Sequence, residues 1–259
     1  MKIGVCCTPD TENIEILKKY NFDFAEIALS NLFNASEDDI AKMLEICEAS
    51  NIYVESSNNF FPGSIKLYNN SDYTEIKSYV HKALSRLSKL GGKVAVLGSG
   101  RARNIPEEYD RNLAEKHFIE VVNICGDIAG SYGLDIAIEP LSRKETNLIN
   151  TVAQGIEFCE RVNHEHVKCL ADFYHIFSNN ETLDAIENSK GMLIHTHIAR
   201  PNPDRNMPTI ADIEDCKPWA QALKKCNYKG RMSLEGGMKP DFETALRDIQ
   251  PVLELFRDI

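Results

Sequence analysis

Short apolar segments alternate with longer amphipathic segments along the whole chain. Residues 2–7 are rich in strand-forming residues, and residues 11–20 follow them with apolar residues at helical spacing. This change of period recurs to the end of the chain. The predicted strands are 2–7, 22–28, 52–57, 93–98, 134–140, 167–173, 193–199 and 231–237. The predicted helices are 11–20, 36–50, 72–90, 106–132, 151–162, 180–189, 212–226 and 241–257.

Capping signals mark several of these helix ends. Ser36 precedes acidic residues that suit the first turn of a helix. Thr151 and Gln154 have the spacing of a capping box. Pro106 is expected near the first turn of its helix, and Gly133 lies just past the predicted end of the same helix.

Eight strand–helix pairs in 259 residues predict an α/β protein, specifically a (β/α)8 TIM barrel. An open, doubly wound sheet is the alternative, but no G-x-G-x-x-G motif follows the first strand. No linker or change of composition divides the chain. We therefore expect a single domain spanning residues 1–259.

Charge and composition narrow the classes of partner. Asp and Glu number 39 against 29 Lys and Arg, and the net charge of −10 argues against binding to nucleic acid. No apolar run is long enough for a membrane span, and the N-terminus does not resemble a signal peptide. The eight cysteines contain no C-x-x-C pair, which indicates reduced core thiols. We expect a cytoplasmic protein.

The C-terminal ends of four successive predicted strands carry acids or histidines. In a TIM barrel these ends meet at the face where chemistry takes place. Several carboxylates in one apolar-walled mouth would repel one another, and a divalent cation would remove that conflict. The residues concerned are Glu139, Asp172 with His175 three residues later, His195, His197, and Glu235.

The composition of this set predicts the kind of metal. Glu139, Asp172, His197 and Glu235 would supply three oxygens and one nitrogen, a set that suits Mn²⁺, Mg²⁺ or Co²⁺ better than a structural zinc site. His197 is preferred to His195 because it lies nearer the rim, and His195 would then support it from below. We expect one divalent ion, with Mn²⁺ first and Zn²⁺ also considered.

These motifs resemble those of the xylose isomerase-like TIM barrels, specifically their sugar phosphate isomerase/epimerase branch, which includes ketose 3-epimerases and hydroxypyruvate isomerases. The resemblance rests on EPLSRKETNLINT, DFYHI, HTHIARP and SLEGG, and it covers nearly the whole chain. It implies that Glu139, Asp172, His197 and Glu235 hold one metal ion. It also implies that Glu145, His175 and Arg205 contact the substrate.

The resemblance implies a mechanism as well. A metal bound to a ketone oxygen and the adjacent hydroxyl would acidify the carbon between carbonyl and alcohol by stabilising an enediolate. Glu139 and Glu235 would act as the acid/base pair. Returning the proton on the opposite face gives epimerisation, whereas returning it to the neighbouring carbon gives isomerisation of an aldose and a ketose.

Three rival functions remain open at this point. An inosose-type dehydratase would eliminate water after the same proton abstraction. An endonuclease IV-like hydrolase would need about three zinc ions and further histidines after strands three and four, where none occurs. A non-catalytic sugar-binding barrel would have no use for an acid/base pair.

Some expectations concern the surroundings of the site. Arg101 and Arg103 follow the fourth strand and are candidates for holding a phosphate or a sugar hydroxyl, with an exposed salt bridge as the alternative. Glu26 is expected to pair with a loop amide or to contact the substrate, and Trp219 to pack in the core or an interface. We expect a sugar or polyol substrate, no membrane partner, and a homo-oligomer, either a dimer or a tetramer.

Overall fold

Eight parallel strands close into a barrel in the computed structural model of the chain, which describes residues 1–69, 73–200 and 204–259. Each strand pairs with the next along the sequence, and β8 pairs with β1, where Arg231 lies opposite Lys2. The strands are β1 (Lys2–Cys6), β2 (Phe24–Ala28), β3 (Tyr53–Asn58), β4 (Val94–Leu97), β5 (Asp135–Ile138), β6 (Val167–Asp172), β7 (Leu193–Ile198) and β8 (Arg231–Leu234). The predicted (β/α)8 TIM barrel is confirmed.

Helices follow the strands and cover the outside of the barrel. They are α1 (Thr11–Lys19), α2 (Leu29–Asn34), α3 (Glu37–Ser50), α4 (Thr74–Lys89), α5 (Gly100–Arg103), α6 (Arg111–Ser131), α7 (Val152–Val162), α8 (Phe173–Ser178), α9 (Asp184–Glu187), α10 (Ile213–Lys225), α11 (Phe242–Asp248) and α12 (Gln250–Arg257). Among the residues that the structure describes, no helix is long and apolar enough to cross a membrane.

Three predicted helices differ from the observed ones. The helix predicted from residue 106 begins at Arg111, because the Asp110 side chain accepts a hydrogen bond from the backbone N–H of Leu113. Only Asp184–Glu187 is helical within 180–189, and the segment 241–257 forms two helices that meet at Ile249. Residue 72, the predicted start of α4, lies outside the described residues.

Short helices directly after β2, β4 and β6 were not predicted. The helices α2, α5 and α8 have six residues or fewer, too few to show a helical period in the sequence. The last of them starts immediately after Asp172, whose side chain accepts a 2.7 Å hydrogen bond from the backbone N–H of Tyr174. This hydrogen bond fixes the orientation of the Asp172 side chain at the end of β6.

Apolar packing occurs both outside and inside the barrel. The main core lies between the strands and the helices. Trp219 is buried there and stacks on Phe173 with ring centroids 4.7 Å apart, so of its two expected positions, core and interface, the structure shows the core. Inside the barrel, Phe24 fills the space beside Gly4, where a Cβ atom would lie only 2.3 Å from the ring. A further apolar cluster contains Val94, Val96, Ala137 and Leu170.

An irregular register between β2 and β3 orients the polar residues of these strands. The pairing passes from Ala25–Val54 to Glu26–Ser56, so that Glu55 is skipped. Glu26 and Ser56 therefore face each other inside the barrel, and the Ser56 hydroxyl donates a hydrogen bond to Glu26. Glu55 instead accepts a 2.6 Å hydrogen bond from Arg231, close to the start of β8.

The capping box at Ser36 should contribute measurably to stability. Its hydroxyl accepts from the backbone N–H of Asp39, and the Asp39 side chain accepts from the backbone N–H of Ser36. We expect Ser36→Ala to lower the free energy of unfolding by about 1 kcal/mol, because one N-terminal donor of α3 loses its acceptor. Urea denaturation would measure this, with Ser36→Asp as the control that keeps a cap. Equal losses in both variants would contradict the assignment.

Candidate active site

Four side chains converge at the C-terminal mouth of the barrel. Glu139 follows β5, Asp172 ends β6, His197 lies on β7 and Glu235 follows β8. One potential ligand atom from each of the four lies within 4.8 Å of the others. Asp172 and His197 are neighbours in the sheet register, and the backbone N–H of Glu235 donates to the carbonyl of Ile198. The structure therefore brings together the four residues that the sequence places at the ends of successive strands.

The imidazole of His197 lies between the carboxylate of Glu26 on one side and those of Glu139 and Glu235 on the other. Its Nε2 lies 3.0 Å from Glu26 Oε1, while its Nδ1 lies 3.2 Å from Glu139 Oε1 and 3.2 Å from Glu235 Oε2. An acceptor at Glu26 favours a proton on Nε2, which leaves the Nδ1 lone pair pointing toward Glu139 and Glu235. His197 therefore presents Nδ1 to the barrel mouth.

Glu26 lies at the centre of a polar layer below these residues. It accepts hydrogen bonds from the Ser56 hydroxyl and, at 2.7 Å, from the Ser233 hydroxyl, and it lies 2.8 Å from His195 Nε2. Its side chain is fully buried. Both expectations for the Glu26 side chain were wrong: its hydrogen-bond partners among the described residues are imidazoles and hydroxyls, and it has no exposed surface. His195 does lie below His197, as predicted, with ring centroids 5.0 Å apart.

The buried acids of the site differ in how readily they ionise. Burial opposes ionisation of Glu26, but His197 and His195 hold its pKa well below the usual value. Burial raises the pKa of Glu139. Burial also acts on Glu235, but there His197 and Arg205 prevail and lower the pKa to about 2. Of the two carboxyl groups beside His197 Nδ1, Glu139 thus has a raised pKa and Glu235 a lowered one.

Arg205 reaches into the same cluster. One of its terminal nitrogens donates a 2.7 Å hydrogen bond to Asp172 Oδ2 and a second hydrogen bond to Glu235 Oε2. The guanidinium also lies over the ring of Tyr174, 4.5 Å from the ring centroid. The structure therefore places Arg205 at the site.

His175 contributes a buried group with an unused donor. Its Nδ1 accepts a 3.1 Å hydrogen bond from the backbone N–H of Ser142, so the ring proton belongs on Nε2. That Nε2 has no hydrogen-bond partner among the described residues, and it lies 3.5 Å from Asp172 Oδ2. Glu145 Oε1 lies on the other side of the ring, 3.6 Å from Nδ1. A substrate oxygen near Asp172 could accept from this donor.

The two arginines after β4 have different environments. Arg101 is exposed and lines a surface pocket together with Glu145. Arg103 is fully buried and donates a 2.7 Å hydrogen bond to the backbone carbonyl of Glu139. The expectation that Arg103 holds substrate does not fit, because its guanidinium is directed at the backbone carbonyls of Glu139 and Ile149. Its hydrogen bond instead supports the backbone at the end of β5.

Sequence reasoning missed two residues that shape the site. Asn58, at the end of β3, donates a 2.7 Å hydrogen bond from Nδ2 to Glu235 Oε1. Its position at the end of a strand is the signal in the sequence that marks it. Gly98, after β4, lies so close to Glu139 that a Cβ atom would be 2.1 Å from Oε2. Nothing in the sequence around Gly98 indicates this contact.

The donor set fits a divalent cation. Glu139, Asp172 and Glu235 bring three carboxylates together, while Arg205 supplies one full positive charge beside them. Oxygen donors with a single imidazole are typical ligands of Mn²⁺, Mg²⁺ or Co²⁺. The orientation of His197 Nδ1 toward the carboxylates completes a set of four from four different strands or strand ends.

Comparison with known proteins identifies the family. Residues 14–258 match the model of the xylose isomerase-like TIM barrel family. The chain belongs to this family. The resemblance stated from the sequence motifs is confirmed.

Two relatives in this family are named epimerases. D-psicose 3-epimerase of Ruminiclostridium cellulolyticum is 27% identical over 233 residues, which cover 86% of this chain and 76% of the relative. 3-Dehydro-D-guloside 4-epimerase of Escherichia coli is 24% identical over 237 residues, which cover 89% and 88%. These relatives confirm the expectation of an enzyme of the isomerase and epimerase class.

Solved structures share the fold over the entire chain. D-psicose 3-epimerase with D-tagatose from Clostridium cellulolyticum H10 superposes with a TM-score of 0.85 at 22% identity, covering 100% of this chain and 99% of the other. The IOLI protein, solved with a zinc atom, gives a TM-score of 0.77 at 19% identity, covering 100% and 99%. At these identities the likeness concerns the fold.

Gly98→Ala should displace the candidate ligand Glu139 without unfolding the barrel. The added methyl group would collide with the end of the flexible Glu139 side chain, which must move away. We expect the affinity for Mn²⁺, measured by calorimetry on metal-free protein, to fall at least tenfold, while the far-ultraviolet circular dichroism stays unchanged. An unaltered affinity would show that the position of Glu139 does not matter for the metal.

Proposed function

We propose that this protein is a divalent-metal-dependent sugar epimerase or isomerase, and that its reaction is epimerisation of a ketose at the carbon next to the carbonyl. One observation carries the proposal. Glu139 and Glu235 come from different sides of the barrel, and each lies 3.2 Å from the same Nδ1 of His197. Two carboxylates that reach one site from different sides can exchange protons with both faces of a carbon held between them.

Each side chain has a role in this reaction. Glu139, Asp172, His197 and Glu235 would hold the ion, with Mn²⁺ expected first. When bound, the ion supplies Lewis-acid polarisation of the ketone and its neighbouring hydroxyl. One of the two glutamates removes the proton from the carbon, and the other returns a proton on the opposite face, so the configuration inverts.

Substrate positioning is assigned to three further residues. The free Nε2–H of His175 and the guanidinium of Arg205 are donors that a sugar oxygen can use, and both lie beside Asp172. Glu145 lies next to His175 and can accept from a sugar hydroxyl. The names of the relatives, D-psicose 3-epimerase above all, support a ketose as the substrate class. A homo-oligomer and a cytoplasmic location stay predictions.

The acid/base roles can be tested by proton exchange in D₂O. We expect the Mn²⁺-loaded protein to convert a ketohexose to its 3-epimer with one deuterium at carbon 3. Glu139→Gln and Glu235→Gln should each reduce kcat by a factor of about 10² to 10⁴, because each removes one proton-transfer group. Mass spectrometry and proton NMR would measure both, with the exposed Glu157→Gln as the matched control.

The products separate this reaction from its rivals. Deuterium in an aldose would indicate isomerisation, whereas loss of water would indicate a dehydratase. The proposal fails if the metal-loaded protein exchanges no proton with any ketose, or if Glu157→Gln is as inactive as the two site variants.

Glu26 should act as a positioning residue for His197. Glu26→Gln removes the charge that both His195 and His197 face, so the Nδ1 orientation of His197 is no longer enforced. We expect the affinity for Mn²⁺ to fall about 10- to 100-fold, as for other carboxylates behind a ligating histidine. Calorimetric titration would measure this. Glu55→Gln, at a buried carboxylate away from the cluster, is the matched control and should leave the affinity unchanged.

A further inference from the structure

A basic pocket of about 630 Å³ opens beside the candidate active site. Four cationic side chains line it: Lys66 from the loop after β3, Arg101 from α5, and Arg143 and Lys144 from the loop after β5. Glu145 is the one acid in its lining. Four cations against one acid stand out in a chain whose net charge is −10.

The two arginines of the basic pocket are unpaired. Among the residues that the structure describes, neither Arg101 nor Arg143 makes a side-chain hydrogen bond or an ion pair. Every other arginine does, including the buried Arg86 and Arg103. The remaining arginines have partners as follows: Arg111 and Arg161 with Glu115, Arg200 with Asp204, Arg205 with Asp172, Arg231 with Glu55, Arg247 with Asp248, and Arg257 with Gln250. The two free guanidinium groups therefore remain available to an external anion.

The chain itself connects this pocket to the metal ligands. Glu145 lines the pocket and lies 3.6 Å from His175, whose Nε2 lies 3.5 Å from Asp172. One imidazole ring thus separates the pocket wall from a metal ligand. The chain also connects the pocket to Glu139, because Gly98 lies against Glu139 and Arg101 of the pocket follows Gly98 by three residues.

A second opening overlaps the basic pocket. This opening, of about 580 Å³, shares Gly63, Arg101, Lys144 and Glu145 with the basic pocket and also contains Asn59. Asn59 directly follows Asn58, whose amide holds Glu235. A substrate whose carbonyl end lies at the metal ligands can therefore extend toward the cationic side chains.

We propose that the basic pocket binds an acidic group, phosphate or carboxylate, on the end of the sugar remote from its carbonyl. The inference rests on the proposed function, because it assigns the substrate class of that same site. Two guanidinium forks and two ammonium groups suit the several oxygens of such a group, since charge-assisted hydrogen bonds from arginine are directional and strong. The preferred substrate is then an anionic ketose instead of a neutral one.

A comparison of substrates tests this directly. The Mn²⁺-loaded full chain would be assayed with a neutral ketohexose, its 6-phosphate, and a ketohexose with a terminal carboxylate. We expect one of the two anionic sugars to have a kcat/KM at least tenfold above that of the neutral sugar, and its identity distinguishes phosphate from carboxylate. In Arg101→Gln/Arg143→Gln this ratio should fall at least tenfold.

Arg247→Gln/Arg257→Gln provides the matched control, because it removes the same two charges from the C-terminal helices. It should leave the ratio unchanged. Equal kcat/KM for neutral and anionic sugars in the unmodified protein would overturn the proposal. A ratio that does not respond to Arg101→Gln/Arg143→Gln would overturn it as well.

A binding measurement separates this inference from the proposed function. Inorganic phosphate would be titrated calorimetrically at constant ionic strength, because screening weakens exposed charges. We expect its dissociation constant to rise at least tenfold in Arg101→Gln/Arg143→Gln and to stay constant in the control. If no sugar is turned over, the proposed function fails, but a phosphate affinity lost in this variant alone still supports the anion site. Equal affinities in both double variants overturn it.

Discussion

Electrostatic repulsion among buried carboxylates governs the upper half of this barrel. Glu26, Glu139 and Asp172 are buried and Glu235 is half-buried, and in such a small volume with little access to water charges interact far more strongly than in solvent. Each acid therefore needs a positive or donating partner. The partners are arranged in two levels, one within the barrel and one at its mouth.

Within the barrel the protein itself supplies all the partners that the acid needs, whereas at the mouth it leaves an excess of negative charge. Glu26 is satisfied by two imidazoles and two hydroxyls, all of them buried. At the mouth, Arg205 serves both Asp172 and Glu235, and the Nδ1 of His197 faces two carboxylates. A site with excess negative charge next to an open pocket is suited to binding a cation, and the lower level keeps His197 in the orientation that this requires.

The fold and the metal-ligand candidates could be predicted because they depend on local pattern and topology. Glu139, Asp172 and Glu235 each end an apolar run, and parallel strands bring such ends to one face of a barrel. The choice of His197 over His195 needed only the direction of the strand. Where a strand ends is visible in the sequence, so residues placed there could be assigned to the same mouth.

Other features depend on details that the sequence does not carry. The partners of Glu26 follow from the register shift between β2 and β3, which no hydrophobic pattern marks. Arg101 and Arg103 lie two residues apart on the four-residue helix α5, so they point in different directions, one into solvent and one into the core. A helix of four residues is too short to show a hydrophobic period, so the sequence does not indicate which of the two arginines is exposed and which is buried.

The number of metal ions bound per chain shows whether the four converging side chains form a metal site. Elemental mass spectrometry on the purified protein, and on Asp172→Asn after both are supplied with Mn²⁺ and desalted, would count the bound ions. We expect about one divalent ion per chain in the unmodified protein and a clear loss in the variant. No retained ion, or about three zinc ions per chain, would contradict it.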